Sequence, residues 1–98
     1  MYQSITMNEM QRMKDINIID VRESEEHQMG VIEGAILMPL NTIPSHLDEL
    51  DKEETYHLVC HSGNRSSIAA QYLSKQGYNV VNVMGGMSAY SGKLSHEV

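Results

Sequence analysis

The sequence has almost no cysteine and lacks both tryptophan and phenylalanine. Its 98 residues include one cysteine, Cys60, and eight methionines. A lone cysteine excludes an internal disulfide, which fits a reducing compartment and leaves the thiol free for chemistry. Without the two largest apolar aromatics, the core has to be built from aliphatic side chains, with methionine as adaptable filler. The length suits one domain, which we expect to span residues 1–98.

Basic residues and long apolar runs are also scarce. Seven Lys and Arg stand against thirteen Asp and Glu, which gives a formal net charge of −6. Such a charge repels nucleic acid and anionic membranes at long range, so we expect neither as a partner. No apolar run reaches the length of a membrane span, and no basic segment followed by an apolar core marks an export signal. We therefore expect a cytoplasmic protein.

Acidic residues cluster at residues 23–26 and 48–54. Charge runs of this kind most often form a solvated helix face or a linker, which is how we interpret both. An anionic substrate would then have to be attracted locally, by loop dipoles and by Arg65. A metal site is not expected, because the five histidines are scattered and His57, Cys60 and His61 do not form a closed tetrahedral set.

Hydrophobic periodicity and turn residues predict alternating strands and helices. The expected strands cover about residues 2–5, 16–20, 34–38, 56–60 and 80–83, and the helices about 7–14, 24–30, 43–50, 65–76 and 87–90. Ser24 is the expected cap of the second helix. Ile68, Ala69, Tyr72 and Leu73 are expected to form the buried face of the fourth. The alternation predicts an α/β fold with a parallel sheet.

Cys60 stands between an apolar strand and a helix. Residues 56–59 (YHLV) precede it, and residues 61–66 (HSGNRS) lead into the predicted helix 65–76. The carboxyl edge of a parallel sheet is where α/β folds bind ligands, and a helix N-terminus favours an anion. Inward-pointing loop amides and the helix dipole should lower the pKa of the thiol, because both stabilise the thiolate. The pattern predicts a thiol nucleophile in an anion-binding loop.

Four separated motifs occur in the order and spacing of a rhodanese domain. They are residues 19–23 (IDVRE), 30–35 (GVIEGA), 60–66 (CHSGNRS) and 82–87 (NVMGGM). The chain resembles a single-domain rhodanese, a sulfurtransferase, over nearly its full length. The resemblance implies a five-stranded, mostly parallel sheet with helices on both faces, and a cysteine that becomes a persulfide.

The resemblance also implies a mechanism and a set of site residues. Cys60 would be the nucleophile of a double displacement that takes sulfane sulfur from thiosulfate, a persulfide or a polysulfide, and passes it to cyanide, a thiol or a protein cysteine. No cofactor would be needed, and we expect a monomer. The substrate-binding loop would comprise His61, Ser62, Gly63, Asn64 and Arg65.

Supporting roles are expected for three further residues. Asp20 and Arg22 would tie neighbouring loops together by charge-assisted hydrogen bonds. Ser66 would satisfy amides at the helix start or bond to the loop. Many thiosulfate-using relatives carry a basic residue after the cysteine, where this chain has His61, which is mostly neutral near pH 7. That difference favours a polysulfide, a small persulfide or a partner protein as the donor.

Two other functions fit parts of the pattern. Rhodanese-like phosphatases and arsenate reductases have a loop one residue longer than the six residues from Cys60 to Arg65, since a tetrahedral phosphate needs a wider ring. In a non-enzymatic interaction or redox-sensing module, the thiol would be oxidised reversibly to a sulfenic acid. Such modules often lack the cysteine or an intact loop, and this chain has both.

Overall fold

Strands and helices alternate along residues 2–96, the part of the chain that the computed structural model describes. The strands are β1 (Gln3–Thr6), β2 (Asn17–Asp20), β3 (Ile36–Leu37), β4 (Thr55–Val59) and β5 (Asn79–Met84). The α-helices are α1 (Met7–Gln11), α2 (Ser24–His27) and α3 (Asn64–Lys75), and two 3₁₀ helices cover Leu40–Glu49 and Gly86–Ala89.

The five strands form one sheet in the order β1-β5-β4-β2-β3. All four neighbouring pairs are parallel, which confirms the predicted α/β class. In the register of the central strands, Leu58 of β4 lies between Ile19 of β2 and Asn82 of β5. Because a parallel strand needs a crossover to reach its neighbour, the helices cover both faces of the sheet. The carboxyl ends of β2, β4 and β5 therefore meet at one edge.

Two apolar clusters pack against the sheet, one on each face. Consecutive residues of β4 alternate between them, with Leu58 in the first cluster and Val59 in the second. Residues of α3 and of the first 3₁₀ helix complete the first cluster, while Met7 and Met10 of α1 complete the second. Methionine thus fills the core beneath α1, as the absence of phenylalanine and tryptophan led us to expect.

Two predicted helix boundaries were wrong. Helix α1 ends at Gln11 instead of Lys14, because the chain turns through Asp15, whose φ is +56°, before β2 begins. Ser24 is the first residue of α2 and not its cap. The cap position belongs to Glu23, whose N–H donates to the Glu26 carboxylate at 3.0 Å. Glu26, the third residue of the helix, thus satisfies the N–H at the helix start, a role that we assigned to Ser24.

Two further boundaries differ: α2 ends at His27 instead of residue 30, and β3 covers only Ile36–Leu37 of the predicted residues 34–38. Other differences concern helix type and helix face. The segment predicted as a helix over 43–50 is a 3₁₀ helix that starts earlier, at Leu40, and contains Pro44. Ile68 is 56% exposed, so its assignment to the buried face of α3 was wrong. The buried stripe runs instead through Ser66, Ala69, Ala70 and Leu73. Small residues on this stripe let the helix lie close to the sheet, and Ile68 then points outward.

No helix within residues 2–96 is long and apolar enough to cross a membrane.

Candidate active site

Cys60 directly follows β4, near the middle of the sheet, where the carboxyl edges of three parallel strands meet. Residues 61–63 form the connection from this cysteine to α3, which begins at Asn64. Gly63 occupies the cap position with a φ of +110°, a left-handed conformation that costs glycine little. This turn brings the N-terminal amides of α3 back toward the thiol. The geometry is that of a sulfur atom beneath a helix N-terminus.

Polar groups of the loop and of α3 converge on the sulfur. The Gly63 N–H lies 2.9 Å from Cys60 Sγ, and the Ser66 hydroxyl oxygen lies 3.4 Å from it. Burial raises the pKa of the Cys60 thiol, but hydrogen bonds from the Ser66 hydroxyl and from the N–H groups of Ser66, Gly63 and Ser62 outweigh it and lower the pKa. The site therefore favours the thiolate, the form that acts as a nucleophile.

A buried polar chain continues behind the sulfur. Ser66 is 0% exposed, and its hydroxyl donates to Asn82 Oδ1 of β5 at 2.5 Å. The hydroxyl has one proton, so it cannot donate to Asn82 and to a thiolate at the same time. In the thiol form, the S–H donates to Ser66. In the thiolate form, the hydroxyl must turn to the sulfur, and the Asn82 amide can still pair with Ser66 by presenting its NH₂ group.

The segment after β5 holds the cysteine loop from the other side. The Met87 N–H donates to the Cys60 carbonyl at 2.7 Å, and the Ser88 N–H donates to the His61 carbonyl at 2.9 Å. These contacts hold the start of the loop whose Ser62 and Gly63 amides face the sulfur. Gly86 permits these contacts because it has no Cβ. A Cβ there would lie 2.8 Å from the His61 carbonyl oxygen and would overlap the Cys60 carbonyl oxygen.

Arg65, the only Lys or Arg in residues 60–67, is already paired. Its Nη1 and Nη2 lie 2.6 and 2.8 Å from the two carboxylate oxygens of Glu26, on α2. The hydrogen bonds from Arg65 lower the pKa of Glu26 to about 2, and those same bonds raise the pKa of Arg65. The guanidinium that we expected to attract an anion is thus neutralised by a carboxylate in this structure.

Comparison with known proteins agrees with this arrangement. A family model described as a rhodanese-like domain matches residues 6–93. The chain belongs to the rhodanese-like family. A Bacillus subtilis relative named "Putative sulfurtransferase YtwF" is 41% identical over 80 residues, which cover 82% of this chain and 78% of that protein.

Two further similarities extend this result. The Bacillus subtilis protein named "Putative sulfur carrier protein YrkF" is 40% identical over 81 residues, but this rhodanese-like chain spans only 44% of its length. The crystal structure of a rhodanese-like domain protein from Staphylococcus aureus superposes with a TM-score of 0.93 at 40% identity, covering 98% of this chain and 99% of that one.

Asp20 and Arg22 lie in a buried ion pair at the end of β2. Arg22 Nε and Nη2 lie 2.9 and 2.6 Å from the Asp20 carboxylate oxygens, and Nη2 also donates to the Gly30 carbonyl at 2.9 Å. Within residues 2–96 neither side chain forms a hydrogen bond to Cys60. The pair connects the end of β2 to the chain that leaves α2. The supporting role that the rhodanese resemblance implies for both residues stays a prediction.

The other loop residues of the rhodanese-like site lie at its rim. The side chains of His61, Ser62 and Asn64 are exposed, whereas Cys60 is 1% exposed. The rim residues could therefore contact a donor in solvent, but the sulfur itself is covered in this conformation. No cluster of three or more potential metal-binding side chains occurs in residues 2–96.

Sequence reasoning missed three residues that shape this site. Glu26 was included in an acidic run assigned to a solvated face, yet it binds Arg65. Asn82 stood inside an apolar strand, and that isolated polar residue was a usable signal that we did not follow. Gly86 was noted only as part of the motif of residues 82–87. Its contact with the cysteine loop depends on how β5 and β4 pair, which sequence alone does not show.

Proposed function

We propose that this rhodanese-like domain is a sulfurtransferase that carries sulfane sulfur as a Cys60 persulfide. The observation that carries the proposal is the 2.9 Å contact of the Gly63 N–H with Cys60 Sγ, in a site that lowers the thiol pKa. The relatives named for sulfur transfer and sulfur carriage support it. Fixed amide dipoles stabilise an anionic sulfur without having to reorganise.

The reaction is a double displacement. The Cys60 thiolate attacks the outer sulfur of thiosulfate, the S–S bond of the donor breaks, and sulfite leaves with the bonding electrons. With a persulfide donor the leaving group is a thiolate. Cyanide, a small thiol or a protein cysteine then attacks the terminal sulfur of the persulfide, which regenerates the Cys60 thiolate. Each step moves one sulfur atom and conserves charge, so no cofactor takes part.

The covered position of the thiol adds one requirement. Because Cys60 is 1% exposed, the groups that cover Sγ must shift before a donor can reach it. The persulfide sulfur would then lie among the loop amides. A lone thiol persists most readily in a reducing compartment, so we further propose that the domain acts as a monomer in the cytoplasm.

The paired arginine weighs against a phosphatase or an arsenate reductase. Those reactions need a guanidinium that is free to hold a tetrahedral oxyanion with two hydrogen bonds. Both terminal nitrogens of Arg65 are bound to Glu26 here.

Intact-mass spectrometry tests the proposed sulfurtransferase. The purified protein is offered thiosulfate, cysteine persulfide and glutathione persulfide in parallel, and a gain of about 32 Da, one sulfur atom, is expected with at least one donor. Cys60→Ser should show no gain, and cyanide should return the wild-type mass to its starting value. Folded protein that gains no sulfur from any of the three donors would show that the proposal is wrong.

A further inference from the structure

We propose that Glu26 determines donor specificity: by neutralising Arg65 beside the cysteine loop, it makes the site prefer singly charged persulfides over the thiosulfate dianion. This inference rests on the proposed sulfurtransferase function and specifies its substrate class. The sequence pointed to His61 as the reason why thiosulfate is a poor donor. Here the donor preference is assigned to Glu26, a residue on α2 that pairs with the loop.

The geometry of the pair is that of a strong, oriented interaction. Two parallel N–H···O bonds of 2.6 and 2.8 Å join Arg65 to Glu26, a bidentate arrangement that fixes the guanidinium plane. Their side chains are 31% and 28% exposed, so the pair lies at the site rim and not in the core. An incoming anion would meet this pair while it is partly hydrated.

Glu26 is itself held in place. One of its carboxylate oxygens accepts the N–H of Glu23 at 3.0 Å, which closes the start of α2. The Glu26 carboxylate is thus held by two groups, the Glu23 N–H and the Arg65 guanidinium, which keep it in place when an anion approaches. The position of the carboxylate is a property of the fold, so the neutralisation is present before any donor binds.

The local charge count gives the direction of the effect. No other Lys or Arg occurs in residues 60–67, and Arg22, which also acts on Glu26, is paired with Asp20. Each ion pair sums to zero, so the nucleophile brings a net negative charge to the site. The thiolate and Glu23 both act on Arg65 electrostatically, which places all of these charges within range of one another. Loop amides attract any anion, but a dianion is repelled by the uncompensated charge more than a monoanion is.

The size of the effect follows from one unit of charge several ångströms from a donor in a largely aqueous setting. Removing that negative charge should favour the dianion over the monoanion by about three- to tenfold at low ionic strength. Physiological salt should reduce the effect, since the Debye length is about 8 Å.

The matched pair of variants is Glu26→Gln and Glu25→Gln. Both remove one negative charge from α2, but Glu25 is exposed and makes no hydrogen bond or ion pair with Arg65. Glutamine at 26 can still accept the Glu23 N–H, so the helix start is retained. For each variant, kcat/KM is measured with thiosulfate and with cysteine persulfide, whose carboxylate and ammonium cancel so that its ionised persulfide is the single net charge. The thiosulfate-to-persulfide ratio should rise about three- to tenfold in Glu26→Gln, clearly less in Glu25→Gln, and the difference should shrink in high salt.

A second measurement does not depend on sulfur transfer. Alkylation of Cys60 by anionic iodoacetate is compared with alkylation by neutral iodoacetamide, and the ratio of the two rates reports the charge felt near the sulfur. Glu26→Gln should raise this ratio, and Arg65→Gln, which leaves Glu26 unpaired, should lower it. If Glu26→Gln alone does not fold, Glu26 and Glu25 are each changed to Gln in the Arg65→Gln background, where no ion pair is broken; the change at Glu26 should raise the ratio more, and equal ratios would overturn the assignment.

The outcomes separate the two proposals. Equal ratios in Glu26→Gln and Glu25→Gln, with either pair of reagents, would overturn the assignment to Glu26. If the alkylation ratio responds as expected but no protein takes up sulfur from any donor, the sulfurtransferase function fails and the donor preference fails with it. The role of Glu26 in excluding anions from the thiol would then still stand.

Discussion

Replacing Ser66 with alanine tests whether the hydroxyl behind the sulfur stabilises the thiolate. The change removes the Ser66 oxygen 3.4 Å from Cys60 Sγ and keeps the Ser66 N–H, so a single donor of the site is lost. The side chain is fully buried, and bulk water does not readily take its place. The hydroxyl is among the contacts that lower the thiol pKa, so the pKa should rise in the variant.

The magnitude follows from the type of hydrogen bond. A bond to a charged group contributes about 1.5–3 kcal/mol, whereas the S–H of the neutral thiol is a weak donor to the same oxygen. The loss therefore falls mainly on the thiolate. Below the midpoint of the thiol titration, Ser66→Ala should reduce the thiolate fraction, and with it the alkylation rate, about ten- to a hundredfold. It should also destabilise the fold by about 1–3 kcal/mol, because Asn82 Oδ1 loses its buried donor.

The assay is the rate of Cys60 alkylation by iodoacetamide as a function of pH, with thermal unfolding measured in parallel. Ser67→Ala is the matched control: it removes a hydroxyl from the next residue, which donates to the Asn64 carbonyl at 2.8 Å and not to the sulfur. A Ser66→Ala profile that coincides with that of Ser67→Ala would refute the reasoning, since the hydroxyl would then contribute nothing to the thiolate.

Three further predictions concern residues that the tertiary structure brought to attention. Gly86→Ala should destabilise the fold and slow sulfur uptake, because the added methyl group overlaps the Cys60 carbonyl, as thermal unfolding and intact mass would show. Asn82→Asp should slow alkylation wherever the new carboxyl is ionised, since a carboxylate only accepts and so keeps the Ser66 proton from the sulfur. Glu26, with a folded pKa of about 2 against an ordinary 4.5, stabilises the fold above about pH 4.5, and this contribution is lost as pH falls toward 2. In urea unfolding, Glu26→Gln should therefore lose less stability than wild type over that range.

Each of these has a contrary result. If Gly86→Ala melts and takes up sulfur like wild type, the loop is not held as described. If Asn82→Asp alkylates as fast as Asn82→Ala, the proton competition is absent. If the stability of wild type and of Glu26→Gln changes equally with pH, the ion pair adds nothing to stability. The experiment is done at low ionic strength, because salt screens an exposed ion pair.

Some elements were predicted from the sequence much more accurately than others. The ends of the strand before Cys60 and of the helix after it were each predicted to within one residue. An apolar run marks the strand, and Gly77 marks the end of the helix. The acidic helix and the segment around Pro44 were predicted less well. Both are rich in polar residues, and their geometry depends on contacts with other elements, such as Arg65 for the acidic helix.

The sequence alone determined the fold class and the family resemblance, and it singled out Cys60 as the proposed nucleophile. These follow from local signals: strand and helix periodicity, turn glycines, and a single cysteine between a strand and a helix. Only the tertiary structure decided which groups surround the sulfur and which charges cancel. Glu26 lies 39 residues from Arg65, and Asn82 lies 16 residues from Ser66. Contacts between residues this far apart depend on strand order and helix placement, which no local pattern encodes.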